Sequence, residues 1–216
     1  MTGSAAKLLL VNHQEHGGFA ATKAGTQLEI VTFDPEPACE FTFWRPPHEF
    51  ALTVGECEHL IKLAQEAGVN REDVTPRDTQ PWRCTTWALT DEALGGDLKR
   101  RLALPGDVAN ALWWRLDIDS WHVQVKRYTV GQCHLEHTDL CAGSLDRKIA
   151  VSVQLSPPDS HRGGDLGLRW GRAWRVAPRD QGAVIAFPAW QLHQVTTVTS
   201  GERWALIVSG YGPPIR

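Results

Sequence analysis

The chain has one methionine, two tyrosines and no apolar stretch approaching the ~20 residues of a membrane span. The apolar run nearest its start, LLLV at 8–11, is too short for the core of a signal peptide. Neither sign of charge dominates: 22 Lys and Arg stand against 25 Asp and Glu, a net charge of -3. That removes the electrostatic case for a nucleic-acid binder, which is usually basic. Five cysteines (39, 57, 84, 133 and 141) are odd in number and show no CxxC spacing. They fit reduced thiols rather than a disulfide framework or a structural zinc site, and so a cytoplasmic location with no membrane partner is expected. Internal repeats and low-complexity segments are also missing.

What is present is an ordinary globular composition with ten tryptophans. At 216 residues the chain is read as one domain, 1–216, in three parts. Residues 1–50 form an N-terminal extension of short strands (KLLLVNH, QLEIVTF, CEFTFWR) separated by Gly, Pro and Asp turns. Residues 51–119 supply helical support. The first helix follows Thr53, an N-cap with Glu56 three residues on, carries an apolar stripe of Leu60, Ile61 and Ala64, and closes at Gly68. A second helix is expected from about Asp91 to Leu102, interrupted by Pro105 and Gly106, with a shorter piece reaching Trp113. A strand, CTTWAL, precedes it. From 120 to 216 the texture changes to short, β-branched segments with turns between them: WHVQVKRYTV, RKIAVSVQL, DLGLRW, AWRVAP, GAVIAF, HQVTTV and RWALIVSGY. The expected fold is therefore mainly β with supporting α, its core a sandwich or barrel.

The stretch GQCHLEHTDL, residues 131–140, holds two histidines and two acids. Side chains at i and i+2 of a strand share a face, so His137 and Asp139 can aim an imidazole and a carboxylate at one point. His134 and Glu136 differ in parity from that pair and cannot join it without a turn; Glu136 is read as solvated. A further ligand can come from His193, which opens the segment after Pro188. Two histidines and a carboxylate form the facial triad of non-haem Fe(II) oxygenases. Ten residues beyond His193, Arg203 stands inside the apolar strand RWALIV, where its planar fork calls for an anionic partner.

These residues resemble the prolyl-4-hydroxylase-like branch of the Fe(II)/2-oxoglutarate dioxygenases, in particular the PKHD-type hydroxylases. That pattern runs Y-x-x-G-x-x-Y-x-x-H-x-D, an Arg-led strand, a GG(D/E)L turn, and a distal His followed ten residues later by Arg or Lys. Here it reads Tyr128, Gly131, His137, Asp139, Arg147, Gly163-Gly164-Asp165-Leu166, His193 and Arg203, and spans about 120 to 212. Two positions depart from it: His134 stands for the second Tyr, and Thr197 for a proline.

The resemblance implies a double-stranded β-helix, the cupin-like jelly roll, as the core. It implies Fe(II) on His137, Asp139 and His193, with 2-oxoglutarate on Arg203 beside Tyr128 and Gln154. O2 would be the second co-substrate and ascorbate a stimulant. The implied reaction hydroxylates an unactivated aliphatic carbon of an amino acid, a peptidyl residue or a small natural product, releasing succinate and CO2. An aspartate at 139, rather than a small residue leaving room for chloride, favours hydroxylation over halogenation. Substrate contacts are expected from His134, Arg147 and Trp190. Trp82, Trp87, Trp113, Trp114 and Arg169 are further candidates, although core filling suits at least half of the tryptophans.

Competing readings are a cupin-type enzyme that does not use 2-oxoglutarate, a nucleic-acid demethylase, and a β-sandwich binding module with a vestigial metal site. The spacing of ten between His193 and Arg203 and the net negative charge speak against the demethylase.

Overall fold

The structure is a computed structural model describing residues 9–12, 19–23, 26–28, 50–68, 71–72, 84–140 and 145–214. Near the start, β1 (Leu9–Asn12), β2 (Phe19–Lys23) and β3 (Thr26–Leu28) pair with one another as an antiparallel sheet. β1 lies within the expected KLLLVNH strand, while β2 was not anticipated. The second expected strand overlaps β3 only at its first residues, and CEFTFWR lies outside the described residues.

Helix α1 (Val54–Glu66) begins as the capping box demands: the Thr53 hydroxyl accepts from the Glu56 amide, and the Glu56 carboxylate accepts from the Thr53 amide at 2.7 Å. Cys57, Leu60 and Ala64 form its buried stripe, and Gly68 follows in the left-handed region at φ 74°. After β4 (Arg71–Glu72) and β5 (Thr85–Leu89) comes α2 (Asp91–Ala109), capped by Thr90 and continued by a π-helical turn over Asn110–Trp114.

The expected break at Pro105-Gly106 does not occur. Pro105 sits inside α2, and the irregularity lies earlier, at Gly95 (φ 69°, ψ 154°). Gly106 continues the helix because a bare backbone is needed there. A Cβ at that position would meet the Trp121 ring at 2.2 Å, so the glycine lets α2 lie close on the sheet beneath it.

The remaining strands are β6 (Ser120–Tyr128), β7 (His134–His137), β8 (Arg147–Gln154), β9 (His161–Arg162), β10 (Leu166–Trp170), β11 (Ala173–Val176), β12 (Val184–Pro188), β13 (His193–Val195), β14 (Ser200–Gly201) and β15 (Arg203–Tyr211). The larger sheet runs β12-β8-β15-β6-β5-β4, the smaller β11-β10-β13-β7, and β14 pairs with β9 apart from both. All the pairings are antiparallel. With β9 and β14 set aside, the eight strands from β6 to β15 fall into sheets as first, third, sixth and eighth against second, fourth, fifth and seventh. That interleaving is a double-stranded β-helix, the jelly roll expected from the motif.

The larger sheet has two occupied faces. On one, Val123, Val125, Val151, Val153, Leu206 and Val208 pack with helix residues such as Leu60, Leu102 and Val108. On the other, Tyr128, Ala150, Ile185 and Phe187 meet Leu166, Leu168 and Val195 of the smaller sheet. Alternation along β6 therefore sends Val123 and Val125 to the helices, and Lys126 and Tyr128 between the sheets. Among the described residues, no helix is long and apolar enough to cross a membrane.

Candidate metal and co-substrate site

Register brings the two histidines together. His137, the last residue of β7, lies opposite His193, the first of β13, with ring centroids 4.1 Å apart. Asp139 is not on the strand, as the i, i+2 reading required. β7 stops at His137, and Asp139 follows on a bend tied down by the Leu140 amide donating to Ala189 O at 3.0 Å. The bend still delivers the carboxylate: Asp139 Oδ1 lies 3.7 Å from His137 Nε2 and 4.0 Å from His193 Nε2. One ligand atom from each of the three residues falls within 4.8 Å of the others.

His134 is brought in as well. His137 pairs with His193 but His134 with Val195, so three steps on β7 answer two on β13. This bulge reverses the alternation and puts His134 on the face of His137, their rings stacked at 3.7 Å. A surface imidazole is excluded: His134 is 9 % exposed, whereas Glu136 is exposed as expected.

The hydrogen bonds of both facing histidines set their tautomers. His137 Nδ1 donates to Leu135 O at 2.7 Å, and His193 Nδ1 donates to Gln191 O at 2.8 Å. Each Nε2 is thereby left as a lone-pair donor to a cation, the usual arrangement behind a metal-binding imidazole. Burial, opposed by Asp139, lowers the His193 imidazole to about 4 and keeps it neutral. Burial alone would raise the Asp139 carboxyl. The Arg147 guanidinium, 3.0 Å from Oδ1, and the neighbouring imidazoles instead hold it well below the usual carboxylate range. His137 Nε2 and Asp139 Oδ2 are buried without a hydrogen-bond partner. Such atoms are costly unless something occupies the space between them, and a divalent cation matches both.

The same cavity is lined by Tyr128, Arg147 and Arg203 as well as the three candidate ligands. Arg203 is only 4 % exposed although it opens β15. Its Nε donates to Gln154 Oε1 at 3.0 Å, and its guanidinium lies 5.6 Å from the Tyr128 ring centre. Gly164 makes room for it, since a Cβ there would stand 3.1 Å from Arg203 Cδ. A second cavity, lined by Gln154, His161, Asp165 and Arg179, shares Arg203 as a wall.

Several expected substrate contacts lie elsewhere. Trp87 stacks on Trp204 at 5.1 Å on the helix side of the larger sheet, and Trp113 and Trp114 pack against that same core. Trp190 is 41 % exposed in the turn between β12 and β13 and does not line the cavity. Arg169 sits over Trp174 in the β10–β11 hairpin, its Nε donating to Gly171 O. Trp82 lies outside the described residues. Arg147 does face the site, but its carboxylate partner is Asp139. Sequence reasoning missed Lys126, a cation in the cavity wall, and the His161–Arg179 pair behind Arg203. The parity of Lys126 with Tyr128 on β6 was the signal available for the first.

These features define a jelly-roll protein with a two-histidine, one-carboxylate cluster and a buried arginine in one cavity. Residues 123–208 match the family model of the 2OG-Fe(II) oxygenase superfamily. A PKHD-type hydroxylase of Parvibaculum lavamentivorans is 33% identical over 86 residues, 39% of this chain and 39% of the relative. Another, from Alteromonas mediterranea, is 32% identical over 88 residues, covering 38% and 39%. The alignments thus span about two fifths of these relatives' length. Among solved structures, a Pseudomonas putida prolyl-4-hydroxylase superposes with TM-score 0.63 at 15% identity, over 80% of this chain and 93% of that one. A viral collagen prolyl hydroxylase from Paramecium Bursaria Chlorella virus-1 gives 0.57 at 19%, over 75% and 92%. The resemblance carried by the motifs is borne out over the jelly-roll segment, which is similar to the 2OG-Fe(II) oxygenase superfamily and to these PKHD-type hydroxylases.

Proposed function

We propose that the protein is an Fe(II)- and 2-oxoglutarate-dependent hydroxylase. His137, Asp139 and His193 hold the iron, and Arg203 holds the far carboxylate of 2-oxoglutarate, flanked by Tyr128 and positioned by Gln154. The observation carrying this reading is that the three candidate ligands and a buried arginine line one cavity. A metal cluster alone suits a cupin-type enzyme equally well. A desolvated guanidinium in the same wall does not, because it calls for an anion, and the nearby carboxylates are paired elsewhere, Asp139 with Arg147 and Asp165 with Arg179.

Bound there, iron and 2-oxoglutarate would supply oxidative hydroxylation of an aliphatic C–H bond by O2, with succinate and CO2 as co-products. The chain's own residues do the rest. The Leu135 and Gln191 carbonyls hold the two imidazoles in the tautomer that presents Nε2. Arg147 fixes the Asp139 carboxylate through Oδ1 and keeps it ionised. His134, stacked on His137, and Arg147 are the groups best placed to meet a substrate. Phe187, Leu166 and Val195 form the apolar part of the cavity wall.

The substrate is an amino acid, a peptidyl residue or a small natural product. A peptidyl substrate has support from one structural neighbour, a Trichoplax adhaerens prolyl hydroxylase in complex with a hypoxia inducible factor oxygen degradation domain peptide fragment. The net charge of -3 supports a reading without nucleic acid, and the short apolar runs and the odd number of cysteines without CxxC spacing support a cytoplasmic one. Succinate formation from 2-oxoglutarate, screened over these substrate classes, tests the function. Turnover requiring both Fe(II) and 2-oxoglutarate is expected, and turnover indifferent to 2-oxoglutarate would refute it.

A further inference from the structure

Behind Arg203 lies a hydrogen-bond chain whose every proton can be placed. Arginine has N–H donors and no acceptor, so the Gln154 atom 3.0 Å from Arg203 Nε must be the amide oxygen. The Gln154 NH2 then faces the other way, where it meets Ser156 O at 3.3 Å and His161 Nε2 at 3.2 Å. Its two hydrogens have these two acceptors, and Nε2 of His161 must carry a lone pair. The remaining ring nitrogen, Nδ1, is therefore the protonated one, and it donates to Gly163 O at 2.8 Å.

Arg179 Nη2 lies 3.1 Å from that same Nδ1. Two donors face each other there, and the Arg179 hydrogens go to acceptors: His161 O at 2.8 Å from Nη2, and Asp165 Oδ1 at 2.9 Å from Nη1. His161 is thus clamped by its backbone as well as by its ring. Burial, together with the charges of Arg179 and Arg203, disfavours the imidazolium. Gly163, at φ 67°, completes the arrangement, because a Cβ there would meet Thr197 O at 2.1 Å.

We infer that His161, acting through Gln154, is a positioning residue for Arg203: its unprotonated Nε2 fixes the Gln154 amide so that only the oxygen can face the guanidinium. Without that acceptor only the long bond to Ser156 O would hold the NH2 end, so the amide, and with it the fork, would be aimed into the cavity less firmly. The co-substrate site thus extends to a histidine outside the cavity lined by the three candidate ligands.

The inference rests on the assignment of Arg203 to 2-oxoglutarate, and two variants separate the two claims. In His161→Gln the side-chain Oε1 replaces Nε2 as acceptor for Gln154. In His161→Asn the shorter amide can still reach Gly163 O but not Gln154. Calorimetric titration of 2-oxoglutarate into anaerobic Fe(II)-loaded protein should show His161→Asn weakened about 3- to 10-fold, the value of one hydrogen bond. His161→Gln should stay within about twofold of wild type. Steady-state kinetics should place the His161→Asn effect in KM for 2-oxoglutarate rather than in kcat, with thermal midpoints of the two variants alike. Equal affinities for wild type and His161→Asn would overturn the inference, as would a His161→Gln defect as large as that of His161→Asn. No 2-oxoglutarate binding by wild type would instead overturn the functional reading on which it rests.

Discussion

Replacing Arg203 by alanine removes the one residue that divides a 2-oxoglutarate oxygenase from a protein that only binds metal. The side chain is 4 % exposed, lies against Tyr128 and is held at Nε by Gln154, so its ordering is paid before any ligand arrives. A charge-assisted pair made by such a pre-aimed fork is stronger than a neutral hydrogen bond. Truncating one partner of a buried charged pair costs on the order of 2–5 kcal/mol. At 1.4 kcal/mol per tenfold, that is a loss of roughly 30-fold to several thousandfold in affinity. Calorimetric titration of 2-oxoglutarate into anaerobic Fe(II)-loaded protein measures this loss directly. Fe(II) affinity without co-substrate should barely change, because Arg203 is not one of the three clustered residues. Arg203→Lys should be milder, keeping the charge but losing the fork. An unchanged 2-oxoglutarate affinity in Arg203→Ala would refute the co-substrate assignment and leave only a metal site.

Asp139→Gly should end hydroxylation whether or not chloride is added, because it removes a ligand and strands Arg147, now 3.0 Å from that carboxylate; product analysis finding efficient chlorination would contradict this. Metal-free protein should lose stability as pH falls from about 6.5 to about 4. The unfolded chain protonates His193 in that window while the buried native imidazole does not, so the unfolded state binds more protons there. The difference of 6.5 − 4 is worth about 3 kcal/mol at 1.36 kcal/mol per pH unit, and His134 and His161 shift in the same direction. Urea midpoints that match at pH 7.5 and pH 5 would refute it. Lys126 faces the cavity with no hydrogen-bond or ion-pair acceptor among the described residues, and burial lowers its ammonium. Lys126→Met should therefore raise the thermal midpoint of the metal-free protein by about 2–4 °C for each kcal/mol of relieved desolvation; a lower midpoint would show that the charge is compensated.

The cluster itself was legible because its residues carry their chemistry in their identity and spacing: His137 and Asp139 in one short segment, His193 after Pro188, Arg203 ten residues further on. The β-strands of the core were legible from alternation. What could not be read were properties of register. The burial of His134 depends on a bulge between β7 and β13, and a bulge is set by the pairing of two strands that neither segment announces alone. The role of Gln154 could be suspected, but His161 reaches it only because the two-residue strand β9 is pinned by β14. Pro105 misled for a related reason. Local propensity ends a helix there, whereas the backbone stays helical through Pro105 and Gly106, where Trp121 packs closely, and departs from helical angles at Gly95 instead. Tryptophan count carried no address either, for Trp87 stacks on Trp204 in the core rather than lining the site.

The most direct test of the account is an anaerobic titration of metal-free protein with Fe(II) and 2-oxoglutarate, followed by visible absorption. Chelation of the metal by the keto acid, with His137, Asp139 and His193 holding the other side, should give a charge-transfer band that needs both additions and saturates at one equivalent of iron. His137→Ala and His193→Ala should give no band, since two remaining donors do not retain a labile divalent ion. A wild-type protein that binds iron but develops no band with 2-oxoglutarate, or a His193→Ala variant that keeps stoichiometric iron and the full band, would contradict the account.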